Sequence, residues 1–152
     1  MGFVRVGPED FDIAAEMAAL QRDAGDAGAL ASFVGIVRAG SGIPIAAMTL
    51  EHYPGMTDRA IGDIVAQAEA RFALSGARVI HRTGRIPAGG RIVLVLAAAA
   101  HREAALDGTA FLIDWLKVSA PFWKKEHLAD GSARWVDARE QDDRAAGRWA
   151  GG

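Results

Sequence analysis

Apolar and polar positions follow one another in blocks that predict strands and helices along the chain. Short apolar or alternating runs, typical of strands, occupy residues 3–6, 29–38, 45–52, 78–85, 91–100 and 134–136. Apolar residues at helical spacing predict helices over 11–22, from 56 to the break at Ser75-Gly76, and over 102–119. Hairpin-like strand pairs mixed with helices favour an α+β fold, a mainly antiparallel sheet with helices packed on it.

Several local features refine these boundaries. Asp10 and Thr57 are the predicted N-caps of the first two helices, because their side chains can accept hydrogen bonds from free N–H groups. Gly35, inside a strand, predicts a bulge or a close approach of the backbone. Pro121 ends the third helix, and the segment that follows is expected to be irregular.

The polar segment 139–149 is expected to form a last helix, docked by Trp149.

With 152 residues, the chain is long enough for one domain with its own core, and the whole of 1–152 is predicted to be that domain. A net charge of -2 gives no reason to expect nucleic acid or a membrane as a partner. The N-terminus lacks the apolar run of a signal peptide, so a cytoplasmic protein is expected.

The chain has no cysteine, which limits the chemistry that is available to it. Disulfides, thiol catalysis and thiolate metal sites are excluded, and any sulfur chemistry needs sulfur from a partner or a substrate. The four histidines are scattered without metal-ligand spacing, and neither a Gly-rich phosphate loop nor a nucleophile elbow is present. No metal and no cofactor are therefore predicted.

Cationic side chains gather at the ends of predicted elements. Helix starts favour anions, and a lysine beside bulky apolar residues is unusual because its ammonium group is strongly hydrated. Together these side chains predict a site for a phosphate-bearing substrate or a carboxylate. They are Arg38 at a strand end, His101 and Arg102 at a helix start, Lys117 at a helix end, and Lys124 and Lys125 after Pro121.

The third helix separates two of these cation groups. Fifteen residues of helix between Arg102 and Lys117 correspond to about 22 Å of rise, which is too far for one small-molecule pocket. A two-fold dimer removes this difficulty, because it can bring the helix start of one subunit to the helix end of the other. The sequence therefore predicts a composite site, to which the second subunit contributes His101 and Arg102.

Several motifs resemble those of one known family. They lie in the same order along nearly the whole chain, and the combination of LEHYPGM with APFWK is specific. The motifs are FVGIVR (33–38), LEHYPGM (50–56), VIHRTG (79–84), the His101-Arg102 pair, LKVSAPFWKKE (116–126) and RWVDAR (134–139). In these segments the chain resembles the large, catalytic subunit of molybdopterin synthase.

The resemblance implies an α/β-hammerhead-like fold and a sulfurtransferase of molybdenum cofactor biosynthesis. Such an enzyme converts cyclic pyranopterin monophosphate into molybdopterin by installing the dithiolene sulfurs. Sulfur is expected from a small ubiquitin-like carrier subunit, whose C-terminal Gly-Gly thiocarboxylate enters a pocket of the large subunit. Two large subunits are expected to form a central homodimer, with a small subunit at each end of the heterotetramer.

The resemblance also implies roles for individual residues. Lys117 and Lys124 match the essential, catalytic lysines of the family and are expected to bind substrate as well. Ile36 departs from the polar or basic residue that is usual there, so its contact is expected to use the backbone. The other implied substrate-binding residues are Val37, Arg38, His101, Arg102, Lys125, Glu126 and Arg139.

Two other interpretations stay open from the sequence. A non-enzymatic, dimeric α+β module that binds an anionic metabolite would explain each cation singly. A catalytically silent scaffold subunit is disfavoured, because both Lys117 and Lys124 are present. Sulfur transfer that is lost in a Lys117→Ala variant would separate the enzyme from a binding module.

Overall fold

A computed structural model describes residues 2–136, 144 and 147–150 of the chain. Within these residues it contains three α-helices and eight β-strands, and the strands form two four-stranded sheets. The α+β fold predicted from the sequence is confirmed. The strands are divided between two sheets, however, rather than joined in one.

The first sheet has a fully enclosed strand near its middle. Its order is β1 (Gly2–Gly7), β4 (Gly76–Arg82), β6 (Arg91–Ala99) and β2 (Ala29–Ile36). β1 runs parallel to β4, and the other two pairs are antiparallel. Every residue of β6 after Arg91 is buried, which confirms the central strand predicted at 91–100.

Helices cover both faces of this sheet and bury separate parts of the core. Leu94 of β6 packs with Leu20 on one face, whereas the next residue, Val95, belongs to the cluster of Leu112 on the other face. This alternation follows from the period of two along a strand. The helices are α1 (Ile13–Ala24) on the first of these faces, and α2 (Met56–Phe72) and α3 (Arg102–Val118) on the second.

Every strand pair of the second sheet is antiparallel. Its order is β5 (Gly84–Pro87), β3 (Ile45–His52), β7 (Phe122–Leu128) and β8 (Ala133–Trp135). The prediction of an irregular segment after Pro121 is wrong, because this segment is strand β7 and pairs along the whole of β3. The strands predicted at 45–52 and 134–136 are present, the second of them one residue earlier in the chain.

Both predicted helix caps are wrong. The N-cap of α1 is Asp12, whose Oδ1 accepts a hydrogen bond from the Ala15 N–H at 3.0 Å. Asp10 lies before the helix, and its Oδ1 accepts a hydrogen bond from the Phe11 N–H. The N-cap of α2 is Gly55, which has a φ of 84°. Thr57 lies inside the first turn of α2, where its side chain is fully buried.

Two predicted strands differ in length from those observed. The strand predicted at 78–85 is divided at Gly84, whose φ of 80° turns the chain from β4 in the first sheet to β5 in the second. The strand predicted at 29–38 ends at Ile36. The pairing register of β2 shifts between Gly35 and Ile36, and a Cβ at Gly35 would lie 2.8 Å from the Val93 side chain. The bulge and close approach predicted at Gly35 are therefore confirmed.

Trp149 packs on α2 and α3. Most of the helix predicted over 139–149 lies outside the described residues, but Trp149 is described. Its ring lies edge-on to Phe72 and Phe111, and its indole N–H donates to Asp114 Oδ2 at 2.7 Å. Docking by Trp149 is thereby confirmed. None of the helices in the described part of the chain has the length and apolar content needed to cross a membrane.

Candidate active site

A cavity of about 570 Å³ opens where both sheets meet the end of α3. Its walls come from the end of β2 and the loop 39–44, from β3 and β6, from the last turn of α3, and from β7 and β8. The loop is closed by a hydrogen bond from the Ile45 N–H to the Ala39 carbonyl at 2.8 Å. The predicted site residues that line the cavity are Ile36, Val37, Arg38, Lys117, Lys124 and Glu126.

Strand β7 presents alternate side chains to this cavity. Phe122, Lys124 and Glu126 share one face, because successive side chains of a strand point to opposite sides, and all three line the cavity. Lys124 lies opposite Leu50 of β3, which is fully buried, so this is the inner face of β7. The outer face of β7 consists of Trp123, Lys125 and His127.

Lys117 reaches the same cavity from the last turn of α3. The helix ends at Val118, and its C-cap Ser119 donates a backbone hydrogen bond to the Trp115 carbonyl at 2.8 Å. A cation near a helix C-terminus is favoured by the helix dipole. The two predicted catalytic lysines, Lys117 and Lys124, are thus both half-buried in the wall of one cavity, on elements joined by a short corner.

Positive charge dominates the described lining of the cavity. Arg38, Lys117, Lys124 and Arg134 are its cations, and Glu126 is its single carboxylate. Glu126 is only 3% exposed, and its Oε1 accepts a hydrogen bond from Arg134 Nε at 2.8 Å. This pairing offsets the cost of burying the carboxylate. With four cations and one carboxylate, the described lining carries an excess of positive charge that favours an anionic ligand.

Val37 anchors the arginine that follows it. Its backbone N–H donates to the Gly90 carbonyl at 2.9 Å, and its carbonyl accepts from the Gly89 N–H at 2.7 Å. The side chain of Val37 is buried, whereas Ile36 and Arg38 on either side of it are exposed. The cavity rim at Arg38 is therefore held by the neighbouring turn.

A buried histidine, His81 of β4, lies behind the cavity wall. Its ring stacks on Phe122, with 3.9 Å between ring centroids and 19° between planes. Burial above all lowers the pKa of His81 to about 3; the hydrogen bond to the Arg82 carbonyl acts in the opposite direction, and the charges of Lys124 and Lys117 lower the pKa further. His81 is therefore neutral near pH 7, and its Nδ1–H donates to the Arg82 carbonyl at 2.9 Å.

The structure places Lys125 outside this cavity. It lies on the outer face of β7, with its Nζ 5.5 Å from the ring centroid of Trp135. Contact between Lys125 and a ligand in the cavity of the same chain is thereby disfavoured. Arg139, the other predicted arginine near the site, lies outside the described residues.

His101 and Arg102 are also remote from the cavity within one chain. Both are exposed, at the start of α3, and Lys117 lies in the last turn of that helix. The helix runs unbroken from Arg102 to Val118. The prediction that one continuous helix separates Arg102 from Lys117 is therefore confirmed.

Two further residues of the cavity, Phe122 and Arg134, were not predicted as site residues. The signal for Phe122 is the alternation of side chains along 122–128, which places it on the face of Lys124. Arg134 reaches the cavity through the pairing of β8 with β7, for which the sequence offers no local signal. Among the described residues, no group of three or more His, Asp or Glu side chains is placed to hold a metal ion.

Comparison with known proteins identifies the family of this chain. The family described as MoaE protein matches residues 6–119. A molybdopterin synthase catalytic subunit from Mesorhizobium japonicum is 53% identical over 147 residues, which cover 96% of this chain and 92% of that protein. A catalytic subunit from Pseudomonas aeruginosa is 46% identical over 147 residues, which cover 96% of this chain and 97% of that protein.

Solved structures agree with this assignment. The molybdopterin biosynthesis MoaE protein from Burkholderia ambifaria MC40-6 is 47% identical and has a TM-score of 0.84, with 98% of each chain covered. A protein–protein complex of subunits 1 and 2 of molybdopterin-converting factor from Helicobacter pylori 26695 includes a chain with the same fold. That chain is 22% identical and has a TM-score of 0.69, with 92% of this chain and 91% of that chain covered. The chain therefore belongs to the MoaE protein family, the family of molybdopterin synthase catalytic subunits.

Proposed function

We propose that this protein transfers sulfur in the synthesis of molybdopterin. As the catalytic subunit of a molybdopterin synthase, it takes sulfur from the thiocarboxylated C-terminus of a small ubiquitin-like subunit. The acceptor is cyclic pyranopterin monophosphate, and the product carries the dithiolene of molybdopterin. Each thiocarboxylate holds one transferable sulfur atom, so both sulfurs of the dithiolene require a carrier.

The convergence of Lys117 and Lys124 on one cation-rich cavity is the observation that supports this proposal most strongly. A volume of about 570 Å³ is suited to a small molecule. Arg38 and Arg134 add positive charge for the phosphate of the pterin. The Gly-Gly tail of the carrier has no side chains beyond its backbone, so it suits a cavity that must hold the pterin as well.

The cations have two tasks in this reaction. Negative charge develops as the thiocarboxylate sulfur attacks the pterin side chain, and the cyclic phosphate has to open. Fixed ammonium groups stabilise both changes, because they are in place before the charge develops. Lys117, which lines the cavity together with the apolar residues Leu116 and Phe122, is also proposed to move a proton.

A second copy of the chain completes the site in this proposal. His101 and Arg102 lie about 22 Å along α3 from Lys117, and an isologous dimer can bring them to the cavity of the other subunit. Leu106, one turn further along α3, is 60% exposed and provides apolar surface for such an interface. The proposed assembly is a cytoplasmic heterotetramer, with the homodimer at its centre and a carrier subunit at each end.

A sulfur-transfer assay tests the proposed function. The purified protein is incubated with thiocarboxylated small subunit and cyclic pyranopterin monophosphate, and dithiolene formation is followed. The Lys117→Ala variant is expected to be slower by about 100-fold or more, because it loses a charge that stabilises the transition state. Pterin binding by the wild-type protein without any turnover would favour the non-enzymatic binding module instead.

The proton-transfer role of Lys117 is tested by a Lys117→Arg variant. Arginine keeps the positive charge but stays protonated, so it cannot release a proton. Turnover is expected to fall nearly as far as in Lys117→Ala. Near-normal turnover in Lys117→Arg would reduce the role of Lys117 to charge alone.

Subunit mixing tests the composite site. An Arg102→Ala chain and a Lys117→Ala chain are each nearly inactive alone, but their heterodimer holds one intact site and one doubly altered site. Random exchange should restore about a quarter of the wild-type sites, since about half of the dimers are mixed. The matched control mixes Lys117→Ala with Lys124→Ala, which should restore none because both lysines serve the same site. Equal results in the two mixtures, with exchange confirmed, would contradict the composite site.

A further inference from the structure

The corner between α3 and β7 determines how Lys117 and Lys124 face each other. This corner, residues 119–122, begins directly after the last helical turn and ends at the start of the strand. Within the corner, the Ser119 and Ala120 N–H groups both donate to the Trp115 carbonyl, at 2.8 and 3.3 Å. Two buried polar residues from other elements, Thr57 and His81, hold its far side.

Thr57 binds the corner through its hydroxyl group. The hydroxyl accepts a hydrogen bond from the Tyr53 N–H at 3.1 Å and donates one to the Pro121 carbonyl at 3.1 Å. Thr57 is 0% exposed, so its hydroxyl is out of contact with bulk water. Removing the hydroxyl leaves the Tyr53 N–H and the Pro121 carbonyl without this partner, which is unfavourable. The hydroxyl therefore fixes the Pro121 carbonyl against the turn that precedes α2.

His81 binds the corner through its ring. It is 4% exposed and extends the buried face of β4 that includes Ala77 and Val79, so it is mounted on the first sheet. Its hydrogen bond to the Arg82 carbonyl fixes the ring plane, and Phe122 stacks on that plane. Phe122 is the first residue of β7 and shares the inner face with Lys124.

We propose that Thr57 and His81 are positioning residues for the two lysines of the site. Neither residue lines the cavity. Thr57 acts through the Pro121 carbonyl and His81 acts through the ring of Phe122. Together they fix the position of the corner and hence the separation of the backbone atoms of Lys117 and Lys124. This inference rests on the proposed function, because its kinetic readout is sulfur transfer.

The physical basis is the sensitivity of catalysis to geometry. A displacement of 1 Å at a reacting group can lower a rate by about 100-fold. A lysine side chain has many rotamers, so the protein controls its position mainly by fixing the backbone and the neighbouring surface. Hydrogen bonding to a carbonyl and stacking on a ring both restrict orientation, which apolar contact alone does not.

Two variants of Thr57 form a matched pair. Thr57→Val keeps the shape but removes the hydroxyl, and Thr57→Ser keeps the hydroxyl. We expect kcat to fall about tenfold or more in Thr57→Val and to stay within about twofold in Thr57→Ser. The KM for the pterin should change by a smaller factor than kcat, since Arg38 and Arg134 still contribute to binding. Turnover is measured well below the Tm of each variant, so that unfolding does not contribute.

The ring of His81 is tested in the same way. Both His81→Phe and His81→Leu lose the hydrogen bond to the Arg82 carbonyl, but only His81→Phe keeps a planar ring for the stack on Phe122. We expect His81→Phe to retain kcat within about threefold and His81→Leu to lose about tenfold. These variants also keep the inference testable if Thr57→Val does not fold. Equal losses of kcat in the two variants would overturn the role of the ring stack.

A spectroscopic measurement tests the positioning without any reaction. The chain contains only three lysines, Lys117, Lys124 and Lys125. NMR of protein that carries isotope-labelled lysine therefore gives one set of side-chain signals for each. In Thr57→Val the signals of Lys117 and Lys124 should move, and that of Lys125 should stay in place because it lies on the outer face of β7.

The outcomes separate this inference from the proposed function. A wild-type protein without sulfur transfer would overturn the proposed function. The NMR signals of the labelled lysines would then be the only test of the positioning role. An active wild type with unchanged kcat in Thr57→Val and His81→Leu would overturn the inference and leave the function in place. Unmoved signals of Lys117 and Lys124 in Thr57→Val would also overturn it.

Discussion

The inner and outer faces of β7 place neighbouring residues of the same type in different surroundings. Lys124 and Lys125 are adjacent in sequence and identical in chemistry. Lys124 lines the cavity with three other cations, whereas Lys125 lies over the exposed ring of Trp135. The role of a lysine in this segment is therefore decided by the side of the strand on which it lies, and residue type alone does not reveal it.

The aromatic residues of the two faces differ in the same way. On the inner face, Phe122 stacks on the buried His81 and forms part of the cavity wall. On the outer face, the exposed Trp123 lies edge-on to Tyr53, with 4.5 Å between ring centroids. The inner contacts connect β7 to the first sheet and to the cavity, while the outer contacts stay within the second sheet and its flanking turn.

The largest expected effect is on turnover, and it distinguishes the two lysines. Lys124→Ala should lower kcat for sulfur transfer by about 100-fold to 1,000-fold, because a charge that stabilises the transition state is lost. Lys125→Ala should change kcat by less than about threefold, since a charge on the outer face of β7 does not contact the reacting atoms in the cavity. Both variants are compared with the wild type under saturating pterin and carrier.

The two variants control for each other, because they remove the same side chain from adjacent positions. The unfolding midpoints of the two variants should agree within a few degrees, so a difference in kcat reflects the active site and not a difference in stability. A loss in Lys125→Ala as large as that in Lys124→Ala would place the outer face in the active site as well.

The parts of the fold that follow from local signals could be predicted from the sequence. The apolar run of β6 and the helical spacing of α2 and α3 are both decided by neighbouring residues. The division of 78–85 into β4 and β5 could not be predicted, because the alternation continues across Gly84. Which sheet a strand joins depends on long-range pairing, and a periodic pattern does not contain that information.

The site was predictable to a similar extent. Three cations of the site could be predicted because they lie at or near the ends of elements, where a charge follows an apolar pattern. They are Arg38, Lys117 and Lys124. Arg134 contributes through the pairing of β8 with β7, which no local pattern indicates. Thr57 was predicted to be a helix cap because a threonine at the start of a helix usually has that role. Its hydroxyl instead donates a hydrogen bond to a carbonyl 64 residues away, and no local sequence pattern distinguishes the two roles.

A second prediction concerns pH and the inner face. His81 has a pKa of about 3 in the folded protein and about 6.5 when unfolded, so the unfolded state binds more protons between these values. Stability should therefore fall as the pH drops below about 6.5, and His81 alone should account for about 2 kcal/mol between pH 8 and pH 5.

Chemical denaturation at several pH values measures this slope. The folded pKa is lowered mainly by burial, so a His81→Phe variant, which has no titrating ring, should lose less free energy of unfolding over the same range. Carboxylates and the other histidines contribute equally to both proteins and cancel in the difference. Parallel pH profiles for the wild type and His81→Phe would show that His81 is accessible to protons in the folded state.

The smallest expected effect belongs to the outer face. Trp135 is 54% exposed on the short edge strand β8, and its main contact with a charge is the Lys125 ammonium group at 5.5 Å from the ring centroid. An exposed cation–π contact contributes about 0.5–1 kcal/mol, so Trp135→Ala should lower the free energy of unfolding by about that amount. Arg134 precedes Trp135 and keeps its bond to Glu126, so kcat should stay within about twofold. Denaturation and sulfur-transfer assays on the same sample test both statements. A loss of turnover without a larger loss of stability would mean that the outer face serves the reaction, and the contrast between the two sides of β7 would then fail.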